Sequence, residues 1–257
     1  MSDDDVAAET RIARAACAVT DLPLIGLTTG SDGTWSARTW VATLDRPEPR
    51  MTWLNNVRTI GEALHVSRPP TAIRPTRRGD ALIRTVSAWG DYAQANLERL
   101  HVGVVGLGSV GSMVAETLAR MGLPKMTFVD FDRVELKNLD RLVTATEADI
   151  GRLKVEVVAE RVQAVATASE LDLRTVPRKI SHPDAYRAAL DCDILFSCVD
   201  RPHPRHVLNF LAYSHLVPVI DGGIRVRHRN GLFRGADWQV QTVAPGRACL
   251  RCLRAYD

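Results

Sequence analysis

The stretch VVGLGSVGSMVAETLARMG, residues 104–122, decides the fold. Gly106, Gly108 and Gly111 are spaced G-x-G-x-x-G between a short apolar run, HVGVV from His101 to Val105, and a patterned segment. In that segment Val110, Met113, Val114, Leu118 and Met121 recur at the intervals of one buried helix face, and Gly122 is placed to end it. Strand, glycine turn and helix in this order cradle phosphate. The first glycine permits the tight turn, and the second lets backbone approach the anion. The helix N-terminus supplies N–H donors and the positive end of a dipole. The turn by itself fits a nicotinamide dinucleotide or ATP.

Working outward, KMTFVDFD, Lys125 to Asp132, predicts a second strand. RLKVEVVAERVQAVA, Arg152 to Ala166, predicts a second amphipathic helix with Leu153, Val157, Val158, Val162 and Val165 inside. LDLRTV, DILFSCVD and LVPVID predict three further strands. Strands alternating with helices imply a Rossmann-like α/β fold with a doubly wound, mostly parallel sheet. Asn230-Gly231, between two extended runs, signals a hairpin and hence antiparallel strands at the C-terminal end of that sheet. Residues 81–257 are read as this domain. Residues 68–80, rich in proline and arginine, are read as a linker. Residues 1–67 form a small region of unknown fold, in which VAAETRIARAACAV is compatible with a helix and TWSARTWVATL alternates like a strand.

The chain of 257 residues carries a net charge of only +3, which does not imply a nucleic-acid surface. No run approaches the roughly 18 apolar residues of a membrane span. The acidic start, MSDDDVAAET, lacks the regions of a signal peptide, so a cytoplasmic protein is expected. Five cysteines, an odd number, argue against a disulfide framework.

Asp130 closes the second strand about 20 residues past the glycines, where an acidic side chain commonly holds ribose hydroxyls. This too fits either nucleotide. The stretch that follows, DFDRVELKNLDRLVTATEADIGRLK, is more discriminating, because it brings Asp132, Asn138, Arg141 and Lys154 close behind Asp130. Lys154 opens a helix, where a cation is electrostatically unfavourable unless an anion sits there. Asn138, Arg141 and Lys154 together supply more positive and polar groups than a dinucleotide requires, and enough to surround a triphosphate.

These ordered motifs resemble the ThiF/MoeB/HesA family, bacterial relatives of ubiquitin-activating enzymes. The resemblance rests on GLGSVG, DFDRV, NLDR and IGRLK. It continues through CVDRPHPRHVLN (with Asp200, Arg205 and Asn209), VPVIDGG and APGRACLRC, and covers about residues 84–254. It implies ATP- and Mg²⁺-dependent adenylation of the C-terminal carboxylate of a ubiquitin-like or sulfur-carrier protein with a C-terminal glycine tail, releasing pyrophosphate. The turn from Gly106 through Gly108 and Ser109 to Gly111 would bind the nucleotide, with Asp130 and Asp132 beside it. Asp130 would hold the ribose, Asn138, Arg141 and Lys154 the phosphates, and Asp200 the Mg²⁺ ion. Arg84, ahead of Gly90 and Gln94, loosely matches an arginine that in relatives reaches into a partner subunit's ATP site, which implies a homodimer. The family's usual R-Y-x-R-Q core is absent here.

Ser109 stands where relatives usually have glycine, and Arg201 where asparagine commonly follows the metal aspartate. Cys249-x-x-Cys252 has the spacing of half a Cys₄ zinc site, and because the second pair is expected downstream the domain is read as truncated at its C-terminus. Cys192 and Cys198 are read as core thiols, leaving no nucleophilic cysteine. Trp40, Trp53, Trp89 and Trp238 are read as packing residues. Two other functions stay open: a noncatalytic nucleotide-binding or scaffold subunit of the same fold, and an NAD-dependent oxidoreductase. The latter leaves Asn138, Arg141, Lys154 and Asp200 unexplained.

Overall fold

The computed structural model describes residues 3–31, 33–43, 46–69 and 80–255. The chain divides into two compact units, Met1–Arg74 and Pro75–Asp257. The segment read as a linker lies for the most part outside the described residues.

The first unit contains helix α1 (Asp3–Thr20) and an antiparallel sheet of β1 (Leu24–Thr29), β2 (Trp35–Thr43) and β3 (Arg46–Trp53), in that order. A hairpin of β4 (Val57–Ile60) and β5 (Leu64–Ser67) follows. Buried Ala13 and Cys17 lie on α1, and the Cys17 thiol reaches the Trp40 carbonyl at 3.7 Å. Arg38, fully buried on β2, pairs with Glu9 of α1, donates to Thr28 Oγ1 at 2.9 Å and lies over the Trp53 ring at 5.6 Å. The sequence indicated α1 and β2 but not β3, whose Pro47 and Pro49 argue against a strand. β3 is at the sheet edge, where proline removes no ladder bond.

The second unit begins with a 3₁₀ turn, Asp80–Leu82, and helix α2 (Ile83–Leu97), broken at Gly90 by φ 86° and ψ 160°. Gln94 on α2 is buried and donates to the Met121 carbonyl at 2.9 Å and to Glu98 at 3.0 Å, while the Trp89 indole donates to it at 3.1 Å. Gln94 thus ties α2 to the turn that closes the next helix.

The sheet of this unit has six strands: β6 (His101–Val105), β7 (Lys125–Val129), β8 (Asp172–Val176), β9 (Ile194–Ser197), β10 (Val219–Arg229) and β11 (Leu232–Val243). Their spatial order is β11-β10-β9-β6-β7-β8, parallel except for β11, which returns antiparallel to β10. Helices α3 (Ser109–Arg120), α4 (Lys154–Val165), α5 (Pro183–Leu190) and α6 (Pro202–Ser214) connect the strands. Alternation along β6 and β7 separates two cores. Val102, Val104, Met126 and Phe128 pack with α3 and α4, whereas Val105 and Val129 belong to the cluster containing α5 and α6. The order reverses between β6 and β9, and the ligand crevice of such sheets lies at the carboxyl ends of the strands at that reversal.

The α3 stripe differs from the predicted one. Met113 is 55% exposed, and the buried positions are Gly111, Ser112, Ala115 and Ala119. Small residues let this helix lie close to the sheet, and the larger ones flank that contact. The Asn230-Gly231 turn is a hairpin with φ values of 52° and 73°. Beyond the sheet the β10–β11 ribbon carries Ile224 opposite Trp238, and Trp238 is 78% exposed rather than packed as expected. Among the described residues no helix is long and apolar enough to cross a membrane.

Candidate functional site

β6 ends at Val105, and Gly106 turns the chain with φ 86° while its N–H donates to the Val129 carbonyl at 2.9 Å. A Cβ on Gly106 would lie 2.7 Å from the Cys198 carbonyl oxygen, and one on Gly111 would lie 1.8 Å from the Gly106 carbonyl oxygen. Both are therefore required by backbone packing. Gly108 is different: a Cβ there meets nothing within 4 Å, and its φ of −76° is open to any residue. Gly108 is also the N-cap of α3, which has no side-chain cap. The first-turn amides of α3 thus lack an intrahelical acceptor and face an open approach, which fits an anion such as a phosphate.

Asp130 follows β7 and is 8% exposed. One oxygen accepts from Leu107 N at 2.6 Å and the other from Asp132 N at 2.8 Å. A single carboxylate therefore fixes both the glycine turn and the turn after β7. Burial pushes its pKa up, against the N–H donors of Leu107 and Asp132 and the nearby Lys154 charge. Lys154, also 8% exposed, opens α4 and places its ammonium 3.0 Å from Asp132 Oδ2. Asp130, Asp132, Lys154 and the glycine turn are thus brought together at the carboxyl edge of the sheet.

The other candidates are placed less directly. Asn138 is buried and accepts from Glu135 N at 3.1 Å, capping a 3₁₀ turn. Arg141 is exposed and donates to the Lys137 carbonyl at 2.7 Å and to Asp140 at 2.9 Å. Ser109 is the first residue of α3, so its backbone stays with the turn. Asp200 lies on the connection between β9 and α6. Cys198, two residues earlier, touches the space over Gly106 and Gly111. The Asp200 carboxylate is exposed and has no hydrogen-bond or ion-pair partner among the described residues, which fits a hydrated divalent cation. Arg84 is exposed in the first turn of α2 and is not part of this grouping.

The Cys249 and Cys252 sulfurs lie 3.4 Å apart beside a cavity of about 440 Å³ lined in part by His206, Tyr213 and Arg247. The Cys252 N–H holds Cys249 below the usual thiol range, and Cys249 in turn pushes Cys252 up. Among the described residues no group of three or more His, Cys, Asp or Glu side chains is placed to hold a metal. The expected half zinc site is therefore a pair with no third ligand from the described residues. Burial pushes the Cys192 and Cys198 thiols up to about 12, as core residues rather than nucleophiles.

Sequence reasoning gave no role to Asp221, a fully buried carboxylate on β10. Its signal was an aspartate ending the apolar run VPVI, at a level where neighbouring strands carry Ser197 and Val105.

A doubly wound sheet with an open glycine turn, an adjacent buried carboxylate and a lysine at a helix start defines a nucleotide-binding protein. The chain belongs to the ThiF family, which is matched over residues 80–257. It is 31% identical over 163 residues to molybdopterin-synthase adenylyltransferase of Escherichia coli (strain K12), covering 62% of this chain and 61% of that protein. It is 42% identical over 71 residues to tRNA threonylcarbamoyladenosine dehydratase of Haemophilus influenzae, covering 28% of this chain and 27% of that protein. The chain thus spans less than two thirds of the length of either relative. Among solved structures, E. coli tRNA N6-threonylcarbamoyladenosine dehydratase in complex with ATP superimposes with a TM-score of 0.51 at 26% identity, covering 58% of this chain and 65% of that one.

Proposed function

We propose that the chain uses Mg-ATP to adenylate the C-terminal carboxylate of a ubiquitin-like or sulfur-carrier protein. The observation that carries this reading is the uncapped α3 N-terminus at Gly108, on a turn that Asp130 ties to the stretch where Lys154 meets Asp132. A carboxylate oxygen attacks the α-phosphorus, the bond to the β-phosphate oxygen breaks, and pyrophosphate leaves. Attack of one anion on another is slow unless cations and N–H donors meet the developing charge. The α3 amides and Lys154 supply these groups, with Arg141 as a further cation. Asp130 holds the turn and keeps a lone pair on each oxygen for the ribose. Mg²⁺, held by Asp200, would offset phosphate charge. The relative named an adenylyltransferase supports this reading, as does the ATP-bound neighbour.

The test is thermal stabilisation of the wild type and Asp200→Ala by Mg-ATP and by NAD, followed by ATP–pyrophosphate exchange with a carrier ending in Gly-Gly. Only a ligand that binds the folded state raises the transition temperature. The expected result is stabilisation by Mg-ATP, diminished in the variant, and carrier-dependent exchange. Stabilisation by NAD alone would sink the reading, and nucleotide binding without exchange would make the chain a noncatalytic subunit. The 42%-identical segment favours one second reading, a carboxylate carried on a tRNA, distinguished by which substrate drives exchange.

We further propose that the chain acts as a homodimer in which Arg84 serves the partner's site. Arg84→Ala alone is expected to lose exchange, and mixing it with a Lys154→Met chain is expected to restore part of it. Unchanged activity of Arg84→Ala would refute the trans role.

A further inference from the structure

Asp200 sits on the four-residue connection, Cys198 to Arg201, between the end of β9 and the start of α6. Two side chains bracket that connection, Ser197 before it and Arg205 after it. Both meet one carboxylate. Ser197 Oγ donates to Asp221 Oδ1 at 2.5 Å, and Arg205 Nε lies 3.3 Å from the same oxygen. The pairing is built into the sheet, because Asp221 stands opposite Ser197 in the parallel β9–β10 ladder. Arg205 is held from two further sides. Its Nη1 donates to the Ala255 carbonyl at 3.1 Å, and its Nη2 lies 2.4 Å from where a Cβ on Gly223 would stand, so a side chain there would push the guanidinium aside.

This arrangement is costly. Ser197 and Asp221 are fully buried, and the Arg205 side chain is 15% exposed. Asp221 Oδ2 and Arg205 Nε are buried without a hydrogen-bond partner among the described residues. Packing alone would be served as well or better by apolar side chains of the same volume. A fully buried carboxylate that meets a hydroxyl and a guanidinium from either side of one connection calls for a reason in what it holds.

We propose that Asp221 is a positioning residue: by gripping Ser197 and Arg205 it fixes the connection that presents the Asp200 carboxylate, and so sets how tightly Asp200 takes the divalent cation that accompanies the nucleotide. This rests on the reading of Asp200 given above. Asp221 touches neither the nucleotide nor the cation. It acts through the backbone on either side of Asp200, as outer hydrogen-bond partners orient a ligating side chain.

The experiment is calorimetric titration of the full chain with a non-hydrolysable ATP analogue, with Mg²⁺ and with EDTA, alongside thermal melts. The variants are Asp221→Asn, Ser197→Ala and Asp200→Asn. Asp221→Asn keeps the shape and an acceptor for Ser197 while removing the charge that faces Arg205, and Ser197→Ala removes one arm and leaves the ion pair. The expected result is that Asp221→Asn weakens analogue binding about 10–100-fold in Mg²⁺ and changes it little in EDTA. Ser197→Ala should move the same ratio in the same direction, which keeps the test decisive if Asp221→Asn does not fold. A lowered melting temperature with the Mg²⁺-to-EDTA ratio of the wild type would make Asp221 merely structural and overturn the proposal. If Asp200→Asn abolishes the Mg²⁺ effect and the other two variants do not alter it, the positioning role alone fails. If Asp200→Asn leaves the Mg²⁺ effect intact, the assignment of Asp200 fails, and the positioning role with it.

Discussion

Gly111→Ala is expected to unfold the second unit or destabilise it severely, while Gly108→Ser, three residues away in the same motif, is expected to fold normally and lose nucleotide. The two glycines serve different needs. A methyl on Gly111 would stand 1.8 Å from the Gly106 carbonyl oxygen, a backbone atom that can retreat only by moving the turn off β6. Gly106 has no such freedom, because its N–H is bonded to Val129 and its own Cβ position is closed by the Cys198 carbonyl. Forcing an atom into such a contact costs about 3 kcal/mol or more. Gly108 has open space where its Cβ would be and an extended backbone conformation suited to a capping serine. Serine there is expected to cap α3 and to keep or raise stability by up to about 1 kcal/mol. The same hydroxyl would occupy an amide that a phosphate needs, and its Cβ would stand in the anion's approach. ATP affinity should fall by about tenfold or more with no loss of melting temperature. Urea melts and ATP titrations on both variants check the contrast. A Gly108→Ser protein that binds ATP as the wild type does would mean that the turn carries no phosphate.

The fold was legible because its signals are local and periodic. The glycine turn, the β7 and α4 patterns and the Asn230-Gly231 hairpin each satisfy a backbone or burial rule within a dozen or so residues. α5 went unread because its buried face is made of Ala185, Ala188 and Ala189, which carry almost no hydrophobic contrast. The Met113 assignment failed for a related reason, since the close face of α3 is built from small residues. In the candidate site, the glycines, Asp130 and Lys154 were legible from position alone, and the structure gathers them. That Asn138 caps its own 3₁₀ turn and that Arg141 rests on Lys137 and Asp140 were not legible, because polar side chains at turns have several local partners within reach. The Asp221 cluster joins residues from β9, α6 and β10 that are far apart in sequence, and only the strand register makes it visible.

Lys154→Met is expected to separate stability from chemistry most cleanly. The ammonium is buried at the first position of α4, where the helix dipole opposes it, and its partner Asp132 keeps about half of its side chain in solvent. Once Lys154 is removed, Asp132 can turn to water and methionine fills the space of the aliphatic stem, while the buried carboxylate that loses a nearby cation is Asp130. Because Asp132 is half exposed, its pair with Lys154 should be worth about 1 kcal/mol or less at neutral pH. Asp130 adds a pH dependence of definite sign. Its folded-state pKa is already raised above the unfolded value by burial, so its contribution to stability is greatest at acid pH and is lost as pH rises through the folded value. Lys154 is one of the influences holding that value down, and taking it away raises Asp130 further. The small destabilisation of Lys154→Met should thus be larger at pH 8 than near pH 4. Against this modest change in folding, pyrophosphate exchange is expected to fall about 10²–10³-fold, the loss typical of removing one group aimed at developing charge. Melts across pH and exchange rates at saturating ATP measure the two effects on the same protein. A large drop in stability with exchange falling only in proportion would mean that Lys154 is there to neutralise Asp132 and Asp130, and the triphosphate would have to be held by other groups.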